Sequence, residues 1–235
     1  MPAHAATATR AWHLTRATRA CAVAVTMLAG LFGLLLIGNT GAAAQDGEDV
    51  RINLLHGIPG VAVDVISDDE PLVENFEFGD VKDISVLAGE TLEDLQVRLT
   101  GTDSVAIDAG DTDLPSTGNF SIVAHLDMVG QPTLSVFAND TTEIEPGQGR
   151  LTGRHVAAAG PVDVLLDGTV VKPDLANGEE ITADLDVDTY EVIVESDGDV
   201  VIGPDDVAVR EGRSLIVYAV GSDNDQLRTL SLIHI

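Results

Sequence analysis

The chain says one thing twice. "HGIPGVAVDV" runs from His56 to Val65, and "HVAAAGPVDV" runs from His155 to Val164. In each, an aspartate follows the histidine by eight positions: Asp64 after His56, Asp163 after His155. A glycine follows each aspartate by fifteen, Gly79 and Gly178. Two more landmarks come in the same order. "SVAIDAG" around Ile107 parallels "DVVIGPD" around Ile202, and "GNFSIVAHL" from Gly118 parallels "GRSLIVYAV" from Gly212. Self-similarity with ordered landmarks means one structural unit built twice. Any fold proposed for this chain must therefore close on about half of it.

The pattern inside each copy is β. "RINLL", "VAVDVI", "LQVRL", "FSIVAHL" and "TLSVFA" are short runs rich in Val, Ile and Leu. Their mates are "VDVLL", "YEVIVE", "DVVIG", "SLIVYAV" and "TLSLIHI". In "ITADLDVDTYEVIVE", alternation predicts a half-buried strand with Leu185 and Val187 facing a core and Asp184, Asp186 and Asp188 facing water. Asp167-Gly168 and Asp197-Gly198 are two-residue hairpin signals. No sustained helical period follows the N-terminal segment. Many short strands with frequent turns predict an all-β chain of two tandem β-sandwiches, immunoglobulin-like or transthyretin-like in class. The copies span 45–138 and 150–235. Between them "NDTTEIEPGQG", residues 139–149, is polar, carries Pro and Gly, and reads as a linker.

The first 44 residues read as a signal peptide. Arg10, Arg16 and Arg19 make a basic start, "CAVAVTMLAGLFGLLLIG" is the apolar run, and Ala42 and Ala44 place cleavage between Ala44 and Gln45. Retention as a membrane anchor is the alternative. Export then follows by a Sec-type route, since no twin arginine is present. Cys21 is the only cysteine and lies inside this segment, so the mature chain has no disulfide and no thiolate metal site.

All 39 acidic residues lie after the segment, against nine basic ones, a mature charge of −30. Nucleic acid and anionic lipid are poor partners for such a surface. The acidity fits adaptation to high salt, calcium binding, or simple self-repelling solubility. The calcium candidates are Asp68, Asp69, Asp184, Asp186, Asp188, Asp223 and Asp225. None of these runs has the spaced ligand loop of an EF-hand, and alternating acids on a strand stand about 6–7 Å apart. The expectation is no cofactor, with calcium as the one possible exception.

Several of these motifs together resemble a secreted domain-of-unknown-function family, the one numbered four-three-nine-seven. The residues that carry the resemblance are "HGIPGVAVDV", "SIVAHLDMVGQPTLSVFAND" and "IVYAVGS", with "RHVAAAGPVDVLLDG" as the second-copy version. It covers essentially the whole mature chain. The second copy departs with Ala158 where the first has Pro59, and the first has "ISDDEP" in place of a tight Asp-Gly hairpin. The resemblance implies an extracellular or envelope β-sandwich protein and carries over no catalytic residue.

The histidine and aspartate of each copy could pair as an acid–base dyad in a hydrolase. However, no nucleophile elbow and no His-Glu-x-x-His is present. Repetition favours the other role, in which His56, Asp64, Gly79, His155, Asp163 and Gly178 define the scaffold. His125 and His234 each stand alone on a strand. "NFS" at Asn119 and "NDT" at Asn139 have the form of glycosylation sequons. The reading is a non-enzymatic exported module that binds an envelope polymer or an extracellular protein. It has no membrane span after signal removal, and no feature fixes an oligomeric state.

Overall fold

The computed structural model describes residues 50–222 and 227–234. The cleavage site at Ala44 and Gln45 and the acids Asp223 and Asp225 lie outside the described residues. The first copy consists of β1 (Arg51–His56), β2 (Val63–Ser67), β3 (Glu70–Phe76), β4 (Val81–Asp83), β5 (Thr91–Leu99), β6 (Val105–Asp113), β7 (Asn119–Leu126) and β8 (Pro132–Ala138). A 3-10 turn, Ser85–Leu87, lies between β4 and β5. The second copy consists of β9 (Gln148–His155), β10 (Val162–Leu166), β11 (Thr169–Leu175), β12 (Glu180–Asp186), β13 (Thr189–Ser196), β14 (Asp199–Ala208), β15 (Ser214–Val220) and β16 (Arg228–His234).

Each copy makes two four-stranded sheets. Their orders are β4-β1-β7-β8 facing β3-β2-β5-β6, then β12-β9-β15-β16 facing β11-β10-β13-β14. Strand for strand the two are the same. In both, the first strand pairs parallel with the seventh, β1 with β7 and β9 with β15. The first and second strands lie in different sheets. That is the transthyretin-like alternative rather than the immunoglobulin one, whose first two strands share a sheet.

The turns follow from backbone chemistry. Asp167-Gly168 and Asp197-Gly198 both take positive φ at both positions, as a two-residue hairpin with matching twist requires. "ISDDEP" makes the same hairpin without glycine. Asp68 and Asp69 sit at φ 49° and 59°, a region that aspartate tolerates better than most residues. Asp69 also meets Arg98 at 3.2 Å across the surface.

Alternation across "ITADLDVDTYEVIVE" gave half of the right answer. Leu185 is buried, but Val187 is 48 % exposed. The stretch is two strands in different sheets, and Val187 lies in the crossing between them, its amide donating to Gly147 O at 3.0 Å. Period two cannot report where a strand leaves its sheet. The register also shifts one landmark. Arg51 N donates to Gly118 O, and Arg150 N donates to Arg213 O. Gly118 therefore corresponds to Arg213, one position beyond Gly212. The stretch read as a linker enters β9 at Gln148.

The apolar residues form three layers. Ile52, Val63, Phe76, Val97 and Ile122 centre the first sandwich. Val162, Leu175, Val194 and Ile202, with the adjacent group of Leu166, Leu185 and Val209, fill the second. The third layer joins the copies: Leu55, Val123 and Phe137 of the first meet Val156, Ile216, Tyr218 and Val220 of the second. These residues alternate with those of the inner cores, so they belong to the outward faces of the β1- and β9-containing sheets.

Candidate functional site

His56 ends β1 and is fully buried. Its Nδ1 accepts from the Ile58 amide at 3.4 Å, and its Nε2 donates to Val61 O at 3.0 Å. His155 repeats this on Ala157 N at 3.4 Å and Gly160 O at 2.9 Å. Each ring ties down the loop that leaves its strand, using one nitrogen as acceptor and one as donor. Only the neutral ring can do that. Burial accordingly pushes the His56 pKa down, against the opposing pull of the Val61 carbonyl and Asp80.

The repeated aspartates do a different task elsewhere. The register between β2 and β3 slips at Asp64, so that Glu74 and Asn75 together oppose it, a β-bulge. Asn75 takes φ 46°, and its amide donates to Asp64 Oδ1 at 2.8 Å. Thr100 Oγ1 donates to the same oxygen at 2.9 Å. In the second copy, Asp174 takes φ 51° and its amide donates to Asp163 Oδ1 at 2.9 Å. The Asn75 amide is the main reason that the Asp64 pKa is held down, with Thr100 and Gly101 adding to it against burial. The repeated glycines close the next turn. Gly79 and Gly178 donate to His56 O and His155 O at 2.8 and 2.7 Å, at φ 86° and 83°. In both copies the histidine and aspartate thus serve different loops. Asp64→Ala is expected to cost about 1–2 kcal/mol and Asp163→Ala about 1 kcal/mol. Urea denaturation checks the order, because Asp64 serves more donors; an equal or reversed order would contradict it.

Among the described residues, a ladder of polar pairs lies where the two copies meet. On β9 the outward residues are Arg150, Thr152 and Arg154. On β12 the residues directly opposite are Asp184, Thr182 and Glu180. All three pairs are joined. Arg150 grips Asp184 through Nε at 2.7 Å and Nη2 at 2.9 Å. The two threonine hydroxyls meet at 2.9 Å, and Arg154 Nε donates to Glu180 Oε2 at 2.7 Å. Arg150 also reaches back to the segment between the copies, through Asp140 Oδ1 at 2.9 Å and the carbonyls of Asp140 and Thr142. Its hydrogen bond to Asp184 is the main cause that raises the Arg150 pKa above its ordinary value. Asp140 is held below its own: burial pushes it up, and the Thr142 hydroxyl and amide with Arg150 outweigh that.

Arg154 is 2 % exposed. Its Nη1 donates to Tyr218 Oη at 2.8 Å and its Nη2 to Asn139 Oδ1 at 2.8 Å. Its guanidinium carbon lies 4.4 Å from the Phe137 ring centre and 5.4 Å from that of Tyr218. Phe137 belongs to the first copy and Asn139 directly follows its last strand, while Glu180 and Tyr218 belong to the second. One planar cation therefore satisfies acceptors on both, which a lysine ammonium could not match. Asn139 gives its amide hydrogens to Asn119 Oδ1 at 2.7 Å and Ser121 Oγ at 3.2 Å. The asparagines of both sequons are thus engaged with each other and with the seam.

Among the calcium candidates, Asp184 has both oxygens on Arg150, Asp68 and Asp69 form a hairpin turn, Asp186 accepts from Gln148 at 3.4 Å, and Asp188 accepts from the Thr189 amide at 2.8 Å. Among the described residues no group of three or more His, Cys, Asp or Glu is placed to hold a metal ion. A cleft of about 680 Å³ beside the β13–β14 hairpin is lined by Asp197, Asp199, Asp205 and Arg228 among others, and is open to solvent. No helix of the described residues is long and apolar enough to cross a membrane.

The sequence reading missed the ladder of β9 and β12. A signal was present: "RLTGR" from Arg150 and "EITAD" from Glu180 carry Arg, Thr, Arg and Glu, Thr, Asp at period two. It becomes legible only once the two strands are known to pair antiparallel.

Residues 50–165 match the family model described as Domain of unknown function (DUF4397). The match covers the first sandwich and continues through β9 and most of β10, taking in His155 and Asp163. No curated protein matches the chain.

Proposed function

We propose that this chain, which belongs to the DUF4397 family through residues 50–165, is a non-enzymatic exported module whose two sandwiches act as one body at the cell surface or outside the cell. The observation that carries this reading is the commitment of the repeated residues. His56 and His155 use their ring nitrogens to hold loops, and Asp64 and Asp163 cap bulges. The parts that repeat are thus the parts that make the fold, and the clamp around Arg154 fixes one copy on the other. Binding falls to the loops at the sandwich ends and to the outer faces of the β3-β2-β5-β6 and β11-β10-β13-β14 sheets. The partner is an envelope polymer or an extracellular protein that tolerates a strongly acidic surface. The acidity itself acts as a solvation and anti-association device, which suits a salty medium.

The test is co-sedimentation of the secreted, purified chain with the envelope fraction of the producing cells, with EDTA and with added calcium. Saturable binding that EDTA leaves intact is the expected result. Binding that needs calcium would replace this reading with a calcium-stabilised adhesion module. Turnover of generic ester, peptide or glycoside substrates, abolished by His56→Gln or His155→Gln in a folded chain, would replace it with a hydrolase.

A further inference from the structure

The two sandwiches differ along one side. In the first, the edge strands β6 and β8 come together across the core. In the second, the matching edge strands β14 and β16 stand farther apart, and the cleft of about 680 Å³ opens between them. Val201 of β14 and Leu227, just before β16, line it, and both pack on the inner core of Val162, Leu175, Val194 and Ile202. The apolar layer of the second sandwich therefore reaches the surface here, as the floor of a groove between two edges.

The edge of β14 has backbone groups to offer. Ser196 and Asp199 close the two-residue hairpin, so the next pair, Glu195 and Val200, is of the non-hydrogen-bonded kind. Both backbone groups of Val200 thus point away from β13, and no strand of the described residues takes them up. An unpaired edge of this kind is a template for an added strand.

The charged side chains say what that strand carries. Asp197, Asp199 and Asp205 line the cleft. Among the described residues none of these carboxylates is in a hydrogen bond or ion pair, whereas Asp64, Asp163 and Asp184 are all engaged within the fold. Arg228, at the start of β16, is the cation of the lining and is likewise unpaired. The acids do not converge on a point, since among the described residues no group of three or more is placed to hold a metal ion. Along β14 the lining runs acid, apolar, acid: Asp199, Val201, Asp205. A second copy of this chain would bring the same aspartates to the same edge, and like charges on neighbouring strands oppose such pairing.

We propose that the groove between β14 and β16 takes up an extended peptide segment of a partner protein, added as a strand to the edge of β14. The face that this segment turns into the groove carries an apolar residue between two lysines or arginines, spaced at period two. The apolar side chain covers Val201 and Leu227, and the cations meet Asp199 and Asp205. Alternate side chains of a strand share a face, so residues two apart reach the groove together. Arg228 donates to a carbonyl of the segment. Given the proposed role as a binding module, on which this assignment rests, the partner is an extracellular protein and not an envelope polymer.

The experiment titrates the secreted, purified chain by NMR at about 0.15 M NaCl, where distant charges are screened. The probe is a blocked peptide in which threonines alternate with lysine, valine and lysine. Its control has the same composition with the lysines adjacent and the valine at one end. The expected result is saturable binding of the alternating peptide alone, with slowed exchange of the Val200 amide. Asp199→Asn with Asp205→Asn, both exposed and unpaired, weakens binding about tenfold. Glu74→Gln with Asp103→Asn changes the net charge equally on the first sandwich and leaves binding unchanged. No saturation by about 1 mM peptide overturns the proposal, as do equal binding of the control peptide and equal losses in the two double variants. Association of the chain with itself, strengthened by Asp199→Asn with Asp205→Asn, would put a second copy in the groove and overturns it as well. Failure of the peptide with envelope co-sedimentation intact removes the groove alone; failure of both removes the binding module beneath it.

Discussion

Arg154→Ala is expected to destabilise the chain by about 3 kcal/mol, the cost of removing a buried cation whose acceptors Tyr218 and Asn139 lose their donor, while Glu180, about a third exposed, can turn to water. The loss has identifiable parts. Glu180 loses its cation, Tyr218 Oη and Asn139 Oδ1 each lose a donor, and the space beside the Phe137 ring is left empty. Because these partners come from both copies, the effect reaches beyond the second sandwich. Urea unfolding at neutral pH should show a lower midpoint and two separated transitions, the first copy melting apart from the second. Arg154→Lys keeps the charge but cannot serve three acceptors from one plane, so its loss is smaller but substantial, about 2 kcal/mol. Arg154→Met together with Glu180→Gln should recover part of the stability, since a well-packed neutral side chain refills the space of the buried guanidinium and no unpaired carboxylate is left. A loss below about 1 kcal/mol for Arg154→Ala would mean that the seam is held by its apolar residues alone.

Gly149→Ala is the second large effect, expected at about 3 kcal/mol. Gly149 lies on β9 with its face toward the inside of the second sandwich. A methyl group there would overlap the carbonyl oxygen of Arg210 and lie 2.8 Å from Val209 Cγ1. Neither is the free end of a flexible chain: Arg210 O is backbone, and Val209 is 4 % exposed. The segment before β15 would have to move, and with it the Gly212 amide that donates to Gln148 O at 2.8 Å. Gly153→Ala is the control, four residues along the same strand. Its methyl group would meet only Ile181 Cγ2, at 3.5 Å, an ordinary contact. That variant should be neutral or slightly stabilising, because alanine restricts the unfolded chain more than glycine does. Thermal melts of the two variants side by side give the answer. Equal effects would show that the approach of Arg210 to β9 is not tight in solution.

Both predictions concern features that came from tertiary structure, while much of the rest was legible in the sequence. The Asp-Gly pairs at 167–168 and 197–198 announced hairpins because only certain residues accept positive φ. The even spacing of His, Asp and Gly announced a duplicated scaffold because each serves a backbone group a few residues away or on the next strand. Short alternating runs announced half-buried strands because successive side chains on a strand point to opposite faces. These constraints act over short stretches of chain, and short stretches are what a sequence displays directly. These local rules therefore carried the class, the duplication, two of the hairpin turns and a strongly acidic composition.

Tertiary structure decided which strands lie side by side and which outward faces meet. The parallel pairing of β1 with β7 joins residues nearly seventy positions apart, and nothing local specifies it. Asp184, read as part of a solvated face or as a weak calcium ligand, instead lies opposite Arg150 of β9 with both oxygens on its guanidinium. The same structural position holds Leu55 in the first copy and Arg154 in the second, and likewise Val123 and Tyr218. Those differences make the two outward faces fit each other. Inside each sandwich the copies had to stay alike, because the same backbone needs the same supports. On the faces between them they had to differ, because a polar cation can be buried only where the opposite face supplies its acceptors.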